Sequence, residues 1–477
     1  MKRAALVASV LGVIGVPLGS VVGMSVESRA MAQPAATAPT DAEIDAALAK
    51  YKADRQSPES ARAAFSGINL TNASREQIEK LQKERVLAQL TDQWGQAKAR
   101  LTQLASDNSV DGVRAAELLV GISSRPRSMS PEDIKAYQEQ LPVLVAQGMR
   151  HPKFLDAVKA GYGQGILSAI QMLSPAQLKE PGTLEAARAV LAADDLPVRA
   201  ALAMGGLFQA VSDEEFGADR ALVETIRTET IAMYGRVDTK VAGELAQADA
   251  KLAASPEDAE AKAKKAELER MRSFVVRTKN YLNGAFARGE LVGHQAPDIT
   301  FTWTTLGSEV TKLSDLKGKV VVLDFWATWC GPCVASFPNI RQLQARYDGY
   351  PVVILGVTSL QGFHIDYKAQ DPKNRRISTE GDPSREMELM KQFIKDQEMT
   401  WAVAFGTSDV FNPEYGVQGI PHVAIVDPAG KVRFRGLHPG EDPAKEAEKI
   451  DALLQEFNLK HPDAPMQAAS ADKPSKN

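Results

Sequence analysis

The sequence predicts a multidomain protein of mixed class: an all-α N-terminal domain followed by an α/β three-layer sandwich around a mixed sheet. Two changes of texture carry that reading. From Asp41 to Glu290 nearly every segment is rich in Ala, Leu, Glu, Lys and Gln and poor in β-branched runs. From Leu291 onward Val and Ile runs alternate with helical segments, and the chain closes on a hairpin and a helix, the pattern of a layered sheet. A third observation fixes the centre. The apolar run Val320-Val321-Val322-Leu323-Asp324-Phe325 reads as a strand covered on both faces, and it passes through Trp326-Ala327-Thr328-Trp329 into Cys330-Gly331-Pro332-Cys333.

At 477 residues the chain can bury more than one core. A net charge of −4 gives no reason to expect nucleic acid or an acidic membrane surface as partner. With Cys330 and Cys333 the only cysteines, no disulfide framework holds the fold together. Lys2 and Arg3, the apolar stretch 4–26 and Ala30-Met31-Ala32 have the layout of a secretory signal, residues 1–32, with cleavage expected after Ala32. Gly12, Gly15, Pro17, Gly19 and Gly23 argue against a firm transmembrane helix; an uncleaved anchor is the alternative, and only then would the membrane be a partner. The expected location is periplasmic or otherwise extracytoplasmic, where disulfides persist.

Residues 33–40 form a Pro/Ala/Thr linker, and residues 41–290 a helical domain. Within it Leu87, Leu90, Trp94, Ala97, Leu101 and Leu104 recur at three- and four-residue steps, as one buried helix face requires. Helices are expected over 131–147, 152–172, 184–193, 197–211 and 213–233, and another starting at Ser255 as N-cap with acids in its first turn. That last helix carries Leu268, Met271, Val275, Thr278, Leu282 and Ala285 on one face. No stable repeat period is present, although pairs such as Ala115-Ala116 and Ala200-Ala201 hint at stacked hairpins. A docking platform and a spacer or dimerisation bundle are equally compatible with this region.

In the second part, short strands are expected at 299–303 and 309–313, before the central strand at 319–325 and a buried strand at 352–357. Pro338 should kink the helix after the cysteines. A helix over 384–397 turns Met387, Met390 and Ile394 inward. A hairpin joins 422–426 to 431–435 across Asp427-Pro428-Ala429-Gly430, and a closing helix covers 443–457. Residues 460–477 read as a polar, disordered tail, and 361–383 as an insertion that is either disordered or a lip over the site.

A thiol at a strand-to-helix junction meets unpaired amides and the positive end of a helix dipole. The Cys330 thiol should therefore fall from ~8.5 toward ~7, and Cys333 is placed to close a disulfide on it. A purely structural bridge would close a very small loop and add little stability. Zinc would need two further ligands, and the six histidines are scattered; His294, His364 and His438 read as surface or loop residues. No metal and no cofactor are expected.

Gly293-His294-Gln295-Ala296-Pro297-Asp298, Leu313-Ser314-Asp315-Leu316-Lys317-Gly318-Lys319, the Trp-Cys-Gly-Pro-Cys motif and Gly419-Ile420-Pro421 together resemble the exported TlpA-like thiol–disulfide oxidoreductases of the thioredoxin fold, over residues 291–459. The resemblance implies roles. Cys330 would be the attacking thiolate and Cys333 the resolving thiol of a redox-active disulfide. Pro421 would be the cis-proline facing them, Ile420 would offer backbone groups to a substrate chain, and Trp329, Gly331 and Pro332 would form the docking surface. Many relatives carry a glutamate three residues after the second cysteine, where this chain has Ser336. Asp324 instead stands six residues before Cys330, the place thioredoxin uses to move protons, and burial should raise its carboxyl well above ~3.9. His422 replaces the more usual threonine.

The function this implies is an exported thiol–disulfide oxidoreductase that reduces disulfides of extracytoplasmic proteins, apocytochromes being one candidate class, and draws electrons from a membrane thiol donor. A disulfide oxidase or isomerase is the alternative within the class. A helical adaptor with an accessory redox-sensing domain is the alternative outside it.

Overall fold

The structure, a computed structural model, describes residues 37–123, 131–212 and 219–466. The expected signal segment, residues 33–36 of the linker, the first residues of the helix expected over 213–233 and residues 467–477 lie outside the described residues. Among the described residues no helix is long and apolar enough to cross a membrane. The chain divides into two compact units, Met1–Val276 and Arg277–Asn477.

The first unit is built from helices. Thr40, Ser57 and Ser74 each close a capping box, in which a hydroxyl and the side chain three residues on satisfy two otherwise orphaned backbone N–H groups. Ile44, Tyr51, Phe65, Ile78 and Leu81 then bury against Leu87, Leu90, Ala97 and Leu101, with Trp94 and Leu104 at the margin; Leu87 and Leu90 do so from the turns before the helix Thr91–Leu104, so the single helix face expected over 87–104 holds only for the residues from Trp94 on. Helices adjacent in sequence pack on one another, Thr91–Leu104 on Val110–Ser123 and that on Pro131–Met149.

Three expectations need correction here. The helix expected over 152–172 is broken into Phe154–Lys159, Gln164–Ser168 and a 3-10 turn, because Gly161 and Gly163 adopt left-handed φ of 89° and 73°. The one expected over 197–211 is divided at Met204 into Val198–Ala203 and Gly205–Val211. Ser255 instead closes the preceding helix as its C-cap, its N–H donating to Lys251 O at 2.9 Å; Ala259–Asn283 starts later, and the Asp258 carboxylate accepts from Ala261 N at 2.9 Å. The helix Arg220–Ala254 runs antiparallel to Ala259–Asn283, tied by Arg272–Asp238, Lys264–Glu244, Lys265–Asp249 and Lys251–Asp258 ion pairs.

The second unit is a six-stranded mixed sheet. Its strands are β1 (Phe301–Thr304), β2 (Val320–Phe325), β3 (Val352–Thr358), β6 (Ala402–Gly406), β7 (His422–Val426) and β8 (Val432–Leu437); β4 (Phe363–Ile365) and β5 (Arg376–Ser378) form a separate hairpin. The sheet order is β1-β6-β3-β2-β7-β8, with β2, β3 and β6 parallel and the other pairings antiparallel. All six residues of β2 are buried, as the apolar run requires. Val320 and Val322 face a core shared with α1 (Gly331–Ala335), α2 (Phe337–Tyr347), α3 (Pro383–Asp396) and α4 (Pro443–Glu456). Val321, Leu323 and Phe325 face a second core closed by Ile299, Leu313, Leu316, Tyr415 and Val417.

Differences from expectation are local. Residues 309–313 make no strand; they meet residues 299–301 through Phe301 N to Thr311 O at 2.8 Å and Leu313 N to Ile299 O at 3.0 Å, because Asp315 takes the Thr311 and Lys312 amides. Strand β6, five residues between α3 and a stretch of turns, adds to the expected strands. Pro338 does not bend one helix but sits in the first turn of α2, after a break at Ser336. Residues 460–466, expected in a disordered tail, are held to the unit: Arg346 donates to Ala464 O at 2.8 Å, and Met466 packs on the α2/α4 core.

The unit's first turn is sterically tight. Gly284 follows the helix end at Asn283, and a Cβ there would lie 2.0 Å from the Pro413 carbonyl oxygen, while Ala285 N and Phe286 N donate to Glu414 at 2.7 and 3.1 Å. Gly284→Ala should therefore destabilise this unit by ~1–3 kcal/mol. Four of the five tryptophans lie between 303 and 401, so a urea melt followed by tryptophan fluorescence reads this unit; an unchanged midpoint would show that the segment yields.

Candidate active site

The site lies where β2 ends. Cys330 is the N-cap of α1, its Sγ accepting from Cys333 N at 3.2 Å, and Pro332 fills the first turn, where its missing N–H leaves no gap. Cys330 and Cys333 are joined as a disulfide. The sulfur-bearing residues are 4% and 1% exposed, whereas Gly331 and Pro332 between them are exposed. The rim of the site is thus backbone, and the disulfide lies just beneath it.

Strand β7 brings the second loop. Phe325 pairs with His422, so Pro421 stands one residue beyond that pair, at the end of β2 from which the cysteines follow. The Ile420–Pro421 peptide is cis, and Ile420 packs against the cluster containing Cys330 and Cys333. His422 turns to the opposite face, edge-on to Phe325; burial, with Arg435 adding to it, pushes its imidazole down to about 3, so it is neutral.

Trp329 is half-buried and held in place by residues the sequence did not single out. Its indole N–H donates to Gln361 Oε1 at 3.0 Å, and its ring lies against Phe411. Gln361 is itself fixed: its amide N–H donates to Glu386 at 2.7 Å and its Nε2 to Ser359. Glu386, buried on α3, also accepts from Gly362 N at 3.0 Å and Thr379 Oγ1 at 2.6 Å, which clips both ends of the insertion. The insertion carries the β4–β5 hairpin, and Tyr367 donates to Thr328 O at 3.0 Å, one residue from Trp329. His364, expected at the surface, is 4% exposed on β4 against Phe393, and burial pushes it down to about 4.

Asp324 lies on the β2 face that carries Val320 and Val322, the face of the cysteines, α2 and α4. It is 2% exposed, and its Oδ1 finds no hydrogen-bond donor. Burial pushes its carboxyl up to about 8, with the neighbouring Glu446 carboxylate adding to the rise. Glu446 is buried on α4, and its own carboxyl is pushed up to about 7, first by burial and then by Glu441, against the pull of Lys449. The signal for Glu446 was present in the sequence: Glu446, Ile450 and Leu453 fall on one helix stripe, and an acid there has no solvent to face.

Residues 291–454 match the Redoxin family. The thioredoxin-like protein YneN of Bacillus subtilis is 30% identical over 161 residues, 33% of this chain and 78% of that protein. The thiol-disulfide oxidoreductase ResA of Bacillus cereus is 29% identical over 151 residues, 31% of this chain and 72% of that protein. The thioredoxin domain of a thiol-disulfide oxidoreductase from Bacteroides vulgatus is 22% identical, covering 35% of this chain and 96% of that domain with a TM-score of 0.24.

The raised carboxyls make stability depend on pH. Between ~4, where an unfolded aspartate ionises, and about 8, native Asp324 keeps a proton that the unfolded chain has released, so stability falls as pH rises through that window. Glu446 acts in the same direction up to about 7. Asp324→Asn should flatten this dependence and make the protein more stable at pH 8, by on the order of a few kcal/mol. Urea melts at pH 5 and pH 8 test it: equal slopes in wild type and variant would show that Asp324 ionises normally.

Proposed function

We propose a reductive, extracytoplasmic role for this protein, which belongs to the TlpA-like thiol–disulfide oxidoreductases through its thioredoxin-fold domain. One observation carries the proposal: a Cys330–Cys333 disulfide at a helix N-terminus, shielded below an exposed Gly331-Pro332 turn.

In the reduced enzyme Cys330, favoured as a thiolate by the α1 N-terminus, attacks one sulfur of a substrate disulfide. A mixed disulfide forms and the other substrate sulfur leaves as a thiolate. Cys333 then gives up its proton and attacks Cys330 Sγ; the bond to substrate breaks, the second substrate thiol is released, and the enzyme disulfide is restored. Two electrons have passed to the substrate, and a thiol donor at the membrane returns them. Gly-Pro between the cysteines supports the reductive direction, since thioredoxin with the same pair has a potential near ~−270 mV.

Position supports the remaining roles. Asp324 is the general base for the Cys333 proton, and Ser336, whose hydroxyl donates to Cys333 O at 2.7 Å, is not. Trp329, Gly331, Pro332, Ile420 and Pro421 make the surface on which an extended substrate segment lies. Substrates are disulfide-containing exported proteins, apocytochromes among the candidates, reached through the secretory segment 1–32. Residues 41–290 serve as a platform or spacer for the redox domain, 291–459.

The protein should catalyse insulin reduction by dithiothreitol, and Cys330→Ser should abolish that; no acceleration by wild type would favour a helical adaptor instead. Cys333→Ser should accumulate covalent complexes with exported proteins, their release slowed by at least ~10³-fold because the neighbouring nucleophile is gone. Equal trapping by Cys330→Ser would overturn the assignment of the two sulfurs. Asp324→Asn should slow release of the mixed disulfide about tenfold or more near pH 7; stopped-flow resolution at the wild-type rate would remove Asp324 from the mechanism.

A further inference from the structure

We infer that Glu446 is a positioning residue for this dithiol chemistry: with Asp324 it forms a buried carboxyl pair, and its charge sets the strength of Asp324 as acceptor for the Cys333 proton. The inference rests on Cys330–Cys333 being the site of exchange and assigns a role to a residue on the far, C-terminal helix.

The geometry is that of two buried acids, neither of them held in an ion pair. Helix α4 packs on β2 and buries Pro443, Glu446, Ala447, Ile450, Leu453 and Leu454. Glu446 is 6% exposed and Asp324 2%, and Glu446 Oε1 and Asp324 Oδ1 both lack a hydrogen-bond partner. Glu386 shows how this fold treats a buried carboxylate that only holds structure, since three donors surround it, two of them backbone amides. The Asp324–Glu446 pair receives no such treatment.

Nor can a cation enter from the neighbouring strands. Opposite Asp324 stand Gly356 on β3 and Val423 on β7. Above Gly356 the space is filled: a Cβ there would lie 2.7 Å from Trp326 Nε1 and 3.2 Å from Trp401 Nε1, and both indole nitrogens are themselves without acceptors. Helix α1 contributes the two sulfurs. Helix α2 contributes Arg346 and Tyr347, which are engaged with Asp451. From α4, Glu441 raises the proton affinity of Glu446 and Lys449 lowers it.

Two buried carboxyls that feel one another's charge cannot both ionise cheaply, so they titrate as a pair. Burial raises both carboxyls, and charge on Glu446 raises Asp324 further, to about 8. That affinity lies close to the ~8.5 of a thiol, which is where a base exchanges protons with a thiol most efficiently. In the resolving step the Cys333 proton passes to the Asp324 carboxylate and the Cys333 thiolate attacks Cys330 Sγ. The Sγ–Sγ bond forms as the bond to the substrate sulfur breaks. The substrate sulfur leaves with the electron pair and takes a proton from water, and Asp324 later returns its own to water.

The test is the pH profile of resolution, read by stopped flow from a preformed mixed disulfide between the full-length protein and a peptide thiol. Glu446→Gln should move the acid limb to lower pH by about one unit and lower the plateau about three- to tenfold, because the base is weaker. Glu446→Asp should move both back toward wild type. Glu446→Leu, which suits the apolar stripe of α4, should repeat the Gln profile if Gln folds poorly. A Gln or Leu profile superimposable on wild type overturns the inference, as does failure of both to fold, which would make Glu446 structural. This half-reaction proceeds whichever way electrons flow in the cell, so its outcome is separable from the insulin assay.

Discussion

The whole redox unit depends on one strand having water on neither face. β2 shares a parallel ladder with β3 and an antiparallel ladder with β7, and all six of its side chains are buried. A slip of one residue would exchange the two cores and carry Asp324 to the face of Leu313 and Tyr415, so the register is fixed by the apolar pattern on both sides. That register sets the position of Cys330 beyond the strand end. It also sets Pro421, because the β7 ladder begins at the Phe325–His422 pair. One constraint thereby delivers the sulfur and the loop beside it.

Around that strand, buried polar groups fall into two kinds. Glu386 is saturated with donors, and through Gln361 it fixes the indole of Trp329 beside the disulfide. The insertion is therefore part of the site's scaffold, with Tyr367 bonded to the loop between β2 and Cys330. Asp324 and Glu446 are left short of donors, which costs folding free energy.

Much of this was legible in residue order, and the exceptions have physical causes. The run 320–325 and the Cys-Gly-Pro-Cys turn identify strand, helix start and thiols because burial and capping are local in sequence. The stripe Trp94–Leu104 is legible for the same reason, since its period is that of a helix, whereas Leu87 and Leu90 reach the same core from turns that the period does not distinguish. The breaks at Gly161 and Gly163 follow from left-handed backbone that a composition-based reading passes over. The roles of Gln361, Tyr367 and Phe411 depend on contacts across tens of residues and leave no local pattern. Glu446 stands between these cases. The helical period marks it as inward-facing, but only the β2–α4 packing supplies the second carboxyl.

The near-complete burial of Cys333 also bears on a different chemistry. Peroxides climb the sulfur oxidation ladder only where a thiolate is exposed long enough to be attacked repeatedly. In the reduced protein Cys330 stands nearer the rim, and any sulfenic acid formed there has Cys333 waiting beneath it to condense to the disulfide with loss of water. Damage at this site is thereby converted into the same disulfide that exchange produces, which a thiol donor can reduce. A fold that hides its second sulfur for the sake of exchange gains resistance to over-oxidation from the same arrangement.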